Sequence, residues 1–184
     1  MPTLSAVRLW DTAHLIEAAA HWARTAAVWE GDFTELAAHI GVPGGAPWEG
    51  LTAEAAQQRA HSDRMTIIAL ADRLHSAAGI ARTGASEIGQ ARLAVLRAVH
   101  AAEGAGFMVG EDFSVTDPYI YNAATSAARQ AQAVAYAGDL RSRVSMLVAA
   151  DRGFAAELVA AAEGLGTVMF PESGGPDADT ADRN

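Results

Sequence analysis

The sequence contains no cysteine and no lysine. Without cysteine the chain has no disulfide framework, no thiolate nucleophile and no cysteine-ligated zinc site. All thirteen basic residues are therefore arginines, and they are scattered along the chain rather than gathered into a stripe. The formal net charge is -9, and binding to phosphate backbones or anionic membranes depends on clustered positive charge. We therefore expect neither nucleic acid nor membrane as a partner.

Several targeting and cofactor signals are missing too. The first ten residues lack the basic region followed by an apolar stretch that an ordinary signal peptide requires, and charges interrupt every longer apolar run. We expect no membrane insertion and, if the protein is exported, a leaderless route. The sequence also has no glycine-rich phosphate loop after a strand and no H-E-x-x-H metal motif. We expect no cofactor and no catalytic residue.

Apolar residues follow a helical period in two long segments. The first runs from Ser5 to Ile40 and ends in the glycine- and proline-rich residues 41–47. The second runs from Thr52 to Glu103, which at 1.5 Å per residue is on the order of 75 Å. Spacing near 3.5 residues predicts two antiparallel helices packed as in a coiled coil, and so a rod. Gly84 and Gly89 leave open a bend or break in the second helix.

Beyond this hairpin the pattern changes twice. Apolar and polar residues alternate around Gly110, which predicts a short extended arm or small hairpin over 107–116. Asp117-Pro118 predicts the start of further helix over 118–166, which a kink near Gly153 would divide in two. The expected fold is all-α: an elongated antiparallel bundle in one domain of residues 1–170, with a hairpin over 5–104. Residues 171–184 are polar and acidic and predict a tail or linker start.

Trp48-Glu49-Gly50 lies between the two long helices. A long helix, a Gly/Pro turn, W-x-G and a second long helix resemble the WXG family of secreted helical hairpins, in the extended form of larger actinobacterial relatives. The resemblance covers residues 5 to about 104. It implies a substrate, or the N-terminal targeting domain of a substrate, of type VII (ESX-like) secretion. Trp48 and Gly50 would then dock, without catalysis, to the secretion machinery or to a helical partner protein.

The same resemblance implies a cytoplasmic protein that becomes secreted or attached to the cell surface. Trp48 at a helix-helix turn can lie over the open end of the bundle, and Gly50 leaves no side chain where the second helix begins. Members of the family also carry Y-x-x-x-D/E on the opposite helix, which this chain lacks: only Phe107 with Glu111 and Phe113 with Asp117 have that spacing. A partner, a C-terminal continuation or a degenerate motif could supply it.

Two alternatives remain open. The first is a scaffold that oligomerises through its helical faces, as a homo-oligomer, and is never exported. The second is a metal site, because Asp11 with His14 and Asp72 with His75 both form D-x-x-H. A hairpin folded near Gly45 would bring these pairs to similar height, and helical bundles build metal sites from such facing groups. Against a metal, the neighbouring leucines rather than the histidines lie on the apolar stripes.

Overall fold

A computed structural model describes residues 1–120 and 122–166. The elements in chain order are helix α1 (Leu4–Leu9), helix α2 (Ala13–Gly41), a 3-10 turn (Pro43–Gly45), helix α3 (Leu51–Gly104), strands β1 (Met108–Val109) and β2 (Val115–Thr116), and helix α4 (Ala123–Gly166). The predicted all-α, elongated antiparallel bundle is confirmed. The predicted tail at 171–184 lies outside the described residues.

Helix α3 is the spine of the rod. Its 54 residues span about 80 Å at 1.5 Å per residue. Helix α2 runs antiparallel to its first half, with Ala19 against Ala78 and Ala81, and Ala26 against Ala71. Because alanine ends at Cβ, these contacts let the two helices approach closely. The alanine-rich composition thus predicts a narrow helical contact, and the structure has one.

Neither long helix is interrupted where the sequence left a break open. Helix α3 continues through Gly84 and Gly89, and α4 continues through Gly153. Gly84 is buried, and a Cβ at this position would lie 2.9 Å from Cγ of Phe154 in α4. Gly84 therefore allows α4 to pack closely against α3 and does not mark a bend.

The first predicted helix is wrong at its beginning, because Trp10–Thr12 separate α1 from α2. The Asp11 carboxylate accepts a hydrogen bond from the amide of Ala13 at 2.9 Å, a local bond that competes with a continuous helix. Arg92 of α3 donates from Nε to the carbonyl of Val7 at 3.0 Å and from Nη2 to the carbonyl of Arg8. These bonds satisfy the free carbonyls at the end of α1.

The predicted arm over 107–116 is confirmed as a small antiparallel hairpin. Its register pairs Met108 with Thr116 and Val109 with Val115. Phe113 in the connecting turn has φ 61° and is fully buried. The hairpin therefore delivers an aromatic side chain into the core rather than extending into solvent.

The upper cluster, our name for the main core, joins α1, α3, the arm and α4. Its members share burial beneath these four elements and include Leu4, Val7, Ile88, Phe113, Leu140 and Leu147. The upper cluster therefore lies at the end of the rod farthest from the W-x-G turn.

Within the described residues, none of the helices combines the length and the apolar composition that crossing a bilayer requires.

Helix α4 begins five residues later than predicted. The Asn122 side chain accepts a hydrogen bond from the amide of Thr125 at 3.0 Å and so caps the helix. Asp117, the predicted cap, instead accepts from the amide of Tyr119 at 3.1 Å and pairs with Arg129. The prediction of a helix from residue 118 was therefore wrong, because Arg129 engages the Asp117 carboxylate.

Candidate functional site at the hairpin tip

The hairpin tip, residues 30–66, contains the last three turns of α2, the connecting turn and the first four turns of α3. The final hydrophobic contact of α4 is Leu165, which packs against Ala26, Ala71 and Leu74. Helix α4 ends one residue later, at Gly166. No third helix from the described residues therefore covers the tip.

Trp48 lies at the outer end of this tip. Its side chain is 38% exposed, and its carbonyl accepts a hydrogen bond from Nε2 of Gln57 at 3.3 Å. Among the described residues, Trp48 belongs to none of the buried clusters. An accessible tryptophan with an apolar ring and a polar N–H is well suited to anchor a protein interface.

Gly50 starts helix α3 in a backbone conformation that side chains disfavour. Its dihedrals are φ 105° and ψ 170°, a region that is occupied almost only by glycine. Its carbonyl accepts the first helical hydrogen bond, from the amide of Glu54 at 3.0 Å. A Cβ here would have nothing within 4 Å, so the expected steric reason is wrong. The turn needs glycine for its backbone conformation.

Four large apolar side chains of the tip are exposed besides Trp48. Leu36 is 51% exposed and Leu51 is 85% exposed, and Val42 and Met65 are exposed as well. Isolated exposed apolar residues are normal, whereas several in one region are typical of an interaction site. The tip therefore combines an aromatic anchor with apolar surface.

One side of the tip forms a groove of about 220 Å³ between α2 and α3. We call it the tip groove; its apolar walls are Phe33, Leu36, Ala37 and Ile40 of α2 with Ala56 and Ala60 of α3. Arg59 and Asp63, which form an ion pair at 2.9 Å, border it on α3. The opposite side of the hairpin is lined by more polar residues, among them Thr34, His61 and Arg64. The two sides thus differ in chemistry.

The predicted metal ligands do not come together. Nε2 of His75 lies 3.6 Å from Oε1 of Glu30, and Asp11 is bonded to its own helix start. Within residues 1–120 and 122–166, no group of three histidine, aspartate or glutamate side chains could hold a metal ion.

The packing register explains the separation of the two D-x-x-H pairs. Because Ala19 lies opposite Ala78, the hairpin is centred near Trp48 rather than Gly45. Asp11 and His14 therefore lie opposite a part of α3 about three turns beyond Asp72 and His75. The prediction of similar height was wrong.

The acidic residues of the two phenylalanine–acid pairs, Glu111 and Asp117, form hydrogen bonds with other residues of the chain. Glu111 accepts hydrogen bonds from the hydroxyl of Ser5 at 2.7 Å and from its amide at 2.9 Å. These bonds hold the pKa of the Glu111 carboxyl below its ordinary value. They also place a negative charge at the N-terminus of α1, where the helix dipole favours it.

Asp117, the acidic residue of the pair with Phe113, also forms its hydrogen bond within the chain. A hydrogen bond from Arg129 holds the pKa of the Asp117 carboxyl below its ordinary value. The Arg129 guanidinium carbon also lies 3.8 Å from the centre of the Phe107 ring. Phe107 and Phe113 are themselves buried. Both pairs therefore stabilise the arm and do not form a motif on a helix surface.

Sequence reasoning missed the tip groove. Phe33, Leu36 and Ile40 continue the apolar stripe of α2, which predicts core residues, yet Leu36 is half exposed. The only local signal was the length of the stripe. Whether another helix covers it depends on where α4 ends along α3, which the periodicity of α2 does not determine.

Comparison with known proteins gives relatives without an assigned activity. No protein-family model and no solved structure matches the chain. An uncharacterized protein of Mycobacterium bovis and uncharacterized proteins of two Mycobacterium tuberculosis strains are each 44% identical to it over 173 residues. The match covers 92% of this chain and 52% of each relative. The chain thus spans about half the length of the curated relatives it matches.

Proposed function

We propose that the chain is a substrate, or the targeting domain of a substrate, of a type VII secretion system, and that it docks through the hairpin tip. The observation that carries the proposal is the placement of Trp48 and Gly50. A partly exposed tryptophan and a conformationally required glycine lie together at the outer end of a two-helix tip that no other described helix covers. The sequence resemblance to WXG hairpins supplies the assignment to this class of secretion.

The proposed role is binding rather than catalysis. An accessible aromatic anchor on a tip that also exposes apolar side chains is the arrangement that protein interfaces use. The rod supports this role mechanically, because α3 carries the tip far from the upper cluster. A partner can therefore bind the tip without disturbing the main core.

The layout of the relatives is compatible with a targeting role. The matched region makes up 52% of each relative, as expected when a targeting domain is joined to a further segment. Under this proposal the protein is made in the cytoplasm and then reaches the cell surface or the medium. The second part of the export signal comes from a partner, from a continuation of the chain or from a degenerate motif.

A secretion assay tests the proposal. The tagged chain is expressed in a mycobacterial host with an intact type VII system and in an isogenic strain in which that system is inactive. Wild type is expected in the culture filtrate of the intact strain only. Trp48→Ala is expected to be retained in the cells, whereas Val159→Ala, at an exposed apolar position of α4, is exported normally.

Two results would overturn the assignment. The first is the absence of wild-type protein from the filtrate of the intact strain. The second is equal export of wild type and Trp48→Ala. Melting temperatures of the purified variants control for misfolding, and Trp48→Ala is expected to melt close to wild type because its side chain is outside the buried clusters.

A non-exported oligomeric scaffold is the second candidate. It is favoured by both phenylalanine–acid pairs, because their carboxylates are bonded within the chain and their rings are buried. Held in this way, the pairs contribute nothing to an export signal. Exposed apolar residues on α4, among them Val134 and Met146, offer faces for self-association. This candidate predicts a stable oligomer in light scattering together with complete retention in the cells.

A further inference from the structure

We propose that the tip groove binds an amphipathic helix of a partner protein, which continues the line of α4 and carries basic residues beside its apolar stripe. The inference rests on the proposed function in taking the tip as the docking end. It adds the secondary structure, position and charge of the partner.

The groove lies on the continuation of the α4 contact. Helix α4 packs along the hairpin through Phe154 at Gly84, Leu158 near Ala78, and Leu165 near Ala71. The stripe of α2 that meets Leu165 contains Trp22 and Trp29. In steps of four, three and four residues the same stripe continues from Trp29 through Phe33, Leu36 and Ile40. The face that α4 covers in the middle of the rod therefore extends into the tip, where no helix of residues 1–120 and 122–166 covers it.

The dimensions of the groove fit a helix. The walls contributed by α2 extend from Phe33 to Ile40, which is about 10 Å or two helical turns. A partner helix with apolar residues at i, i+3, i+4 and i+7 presents its stripe over this length. The alanines at 56 and 60 on α3 leave room for large partner side chains, as alanine does where α2 meets α3.

Charge determines which helix fits. The hairpin tip contains six carboxylates and two arginines, a net charge of -4 with neutral histidine. Asp32 is exposed on α2 directly before Phe33 of the groove wall, whereas Arg59 is paired with Asp63. A second copy would bring an equally acidic tip against this one. Complementary charge favours a partner with lysine or arginine along the edges of its stripe.

Peptide binding to the purified full-length chain tests the inference. Two labelled helical peptides share one leucine stripe and differ only in carrying lysine or glutamate on their flanks. Fluorescence anisotropy is expected to show binding of the lysine peptide about tenfold tighter than of the glutamate peptide. Leu36→Ser is expected to weaken binding of the lysine peptide about tenfold, because it removes apolar surface from the groove.

Matched variants separate the groove from general attraction to an acidic protein. Asp32→Arg and Glu87→Arg change the net charge equally, but Glu87 lies on α3 away from the tip. Only Asp32→Arg is expected to weaken binding of the lysine peptide, by severalfold. Val159→Ser controls for the loss of an exposed apolar side chain elsewhere and is expected to bind like wild type.

Four outcomes would overturn the inference. These are equal affinity for both peptides, normal binding by Leu36→Ser, a dimer in light scattering that Leu36→Ser dissociates, and binding that occurs only after residues 167–184 are removed. The third result would assign the groove to a second copy and the fourth to the chain's own C-terminal residues. Because binding is measured without export, failed secretion with normal peptide binding would overturn the proposed function alone.

Discussion

Replacing Gly84 by alanine inserts one methyl group into the contact between α3 and α4. The new Cβ would lie 2.9 Å from Cγ and 3.1 Å from Cβ of Phe154, well inside the usual carbon–carbon separation of about 3.5–4.0 Å. Overpacking of this kind costs about 1–3 kcal/mol, whereas alanine gains about 1 kcal/mol over glycine within a helix. Gly89→Ala in the same helix has the same gain without a clash, since nothing lies within 4 Å of its Cβ.

The two variants should therefore differ in the free energy of unfolding by about 1–3 kcal/mol, with Gly84→Ala the less stable. For a chain of this size the difference corresponds to roughly 2–12 °C in melting temperature. Circular dichroism during thermal and urea unfolding measures it. In the background of Phe154→Ala the difference should shrink, because the clashing ring is gone while Cβ of residue 154, 3.1 Å away, remains. Equal stability of Gly84→Ala and Gly89→Ala would refute the packing role of Gly84.

Three further predictions concern the ends of the helices. Gly50→Ala should destabilise the chain by about 1–3 kcal/mol from backbone strain alone, and a melting temperature equal to wild type would contradict this. Arg92→Met should lower stability by about 1–3 kcal/mol, since it removes charged hydrogen bonds to the carbonyls ending α1; hydrogen exchange in α1 should rise and that in α2 should not. Because the pKa of Glu111 is lowered in the folded state, the unfolded state binds more protons at acid pH. The stabilising contribution of the Glu111 carboxylate is therefore present above the ordinary glutamate pKa, and it is lost as pH falls through the lower pKa of the folded state. The melting temperatures of wild type and Glu111→Gln should accordingly converge below that range, and a gap independent of pH would exclude this role for the carboxylate.

The long helices could be predicted because amphipathic periodicity is a local property. The sequence predicted one helix from Ser5 to Ile40; α2 begins later, at Ala13, but its end at Gly41 lies within a residue of the predicted end. Helix α3 was predicted from Thr52 to Glu103 and spans Leu51–Gly104. In both cases the residues that shape the helix lie within the helix or directly beside it.

The errors occurred where distant residues determine local structure. The break after α1 accompanies hydrogen bonds from Arg92, more than eighty residues away. The delayed start of α4 accompanies the engagement of Asp117 by Arg129. Gly84 left a bend open, but α3 is continuous there and the glycine is explained by its contact with Phe154 of another helix. The contacts of Arg92 and Phe154 join residues far apart in the sequence, and the Asp117–Arg129 pair, twelve residues apart, spans the start of α4.

The features of the candidate site also separate into those encoded locally and those that depend on tertiary packing. The sequence by itself determined that Trp48 and Gly50 lie in a turn between two long helices, because helix periodicity and helix-breaking residues are encoded locally. Only the tertiary structure decided that, among the described residues, no third helix covers the turn, since this depends on where α4 lies along α3. It also decided that Phe33, Leu36 and Ile40 line a groove rather than a core, because burial of an apolar stripe depends on which helix packs against it.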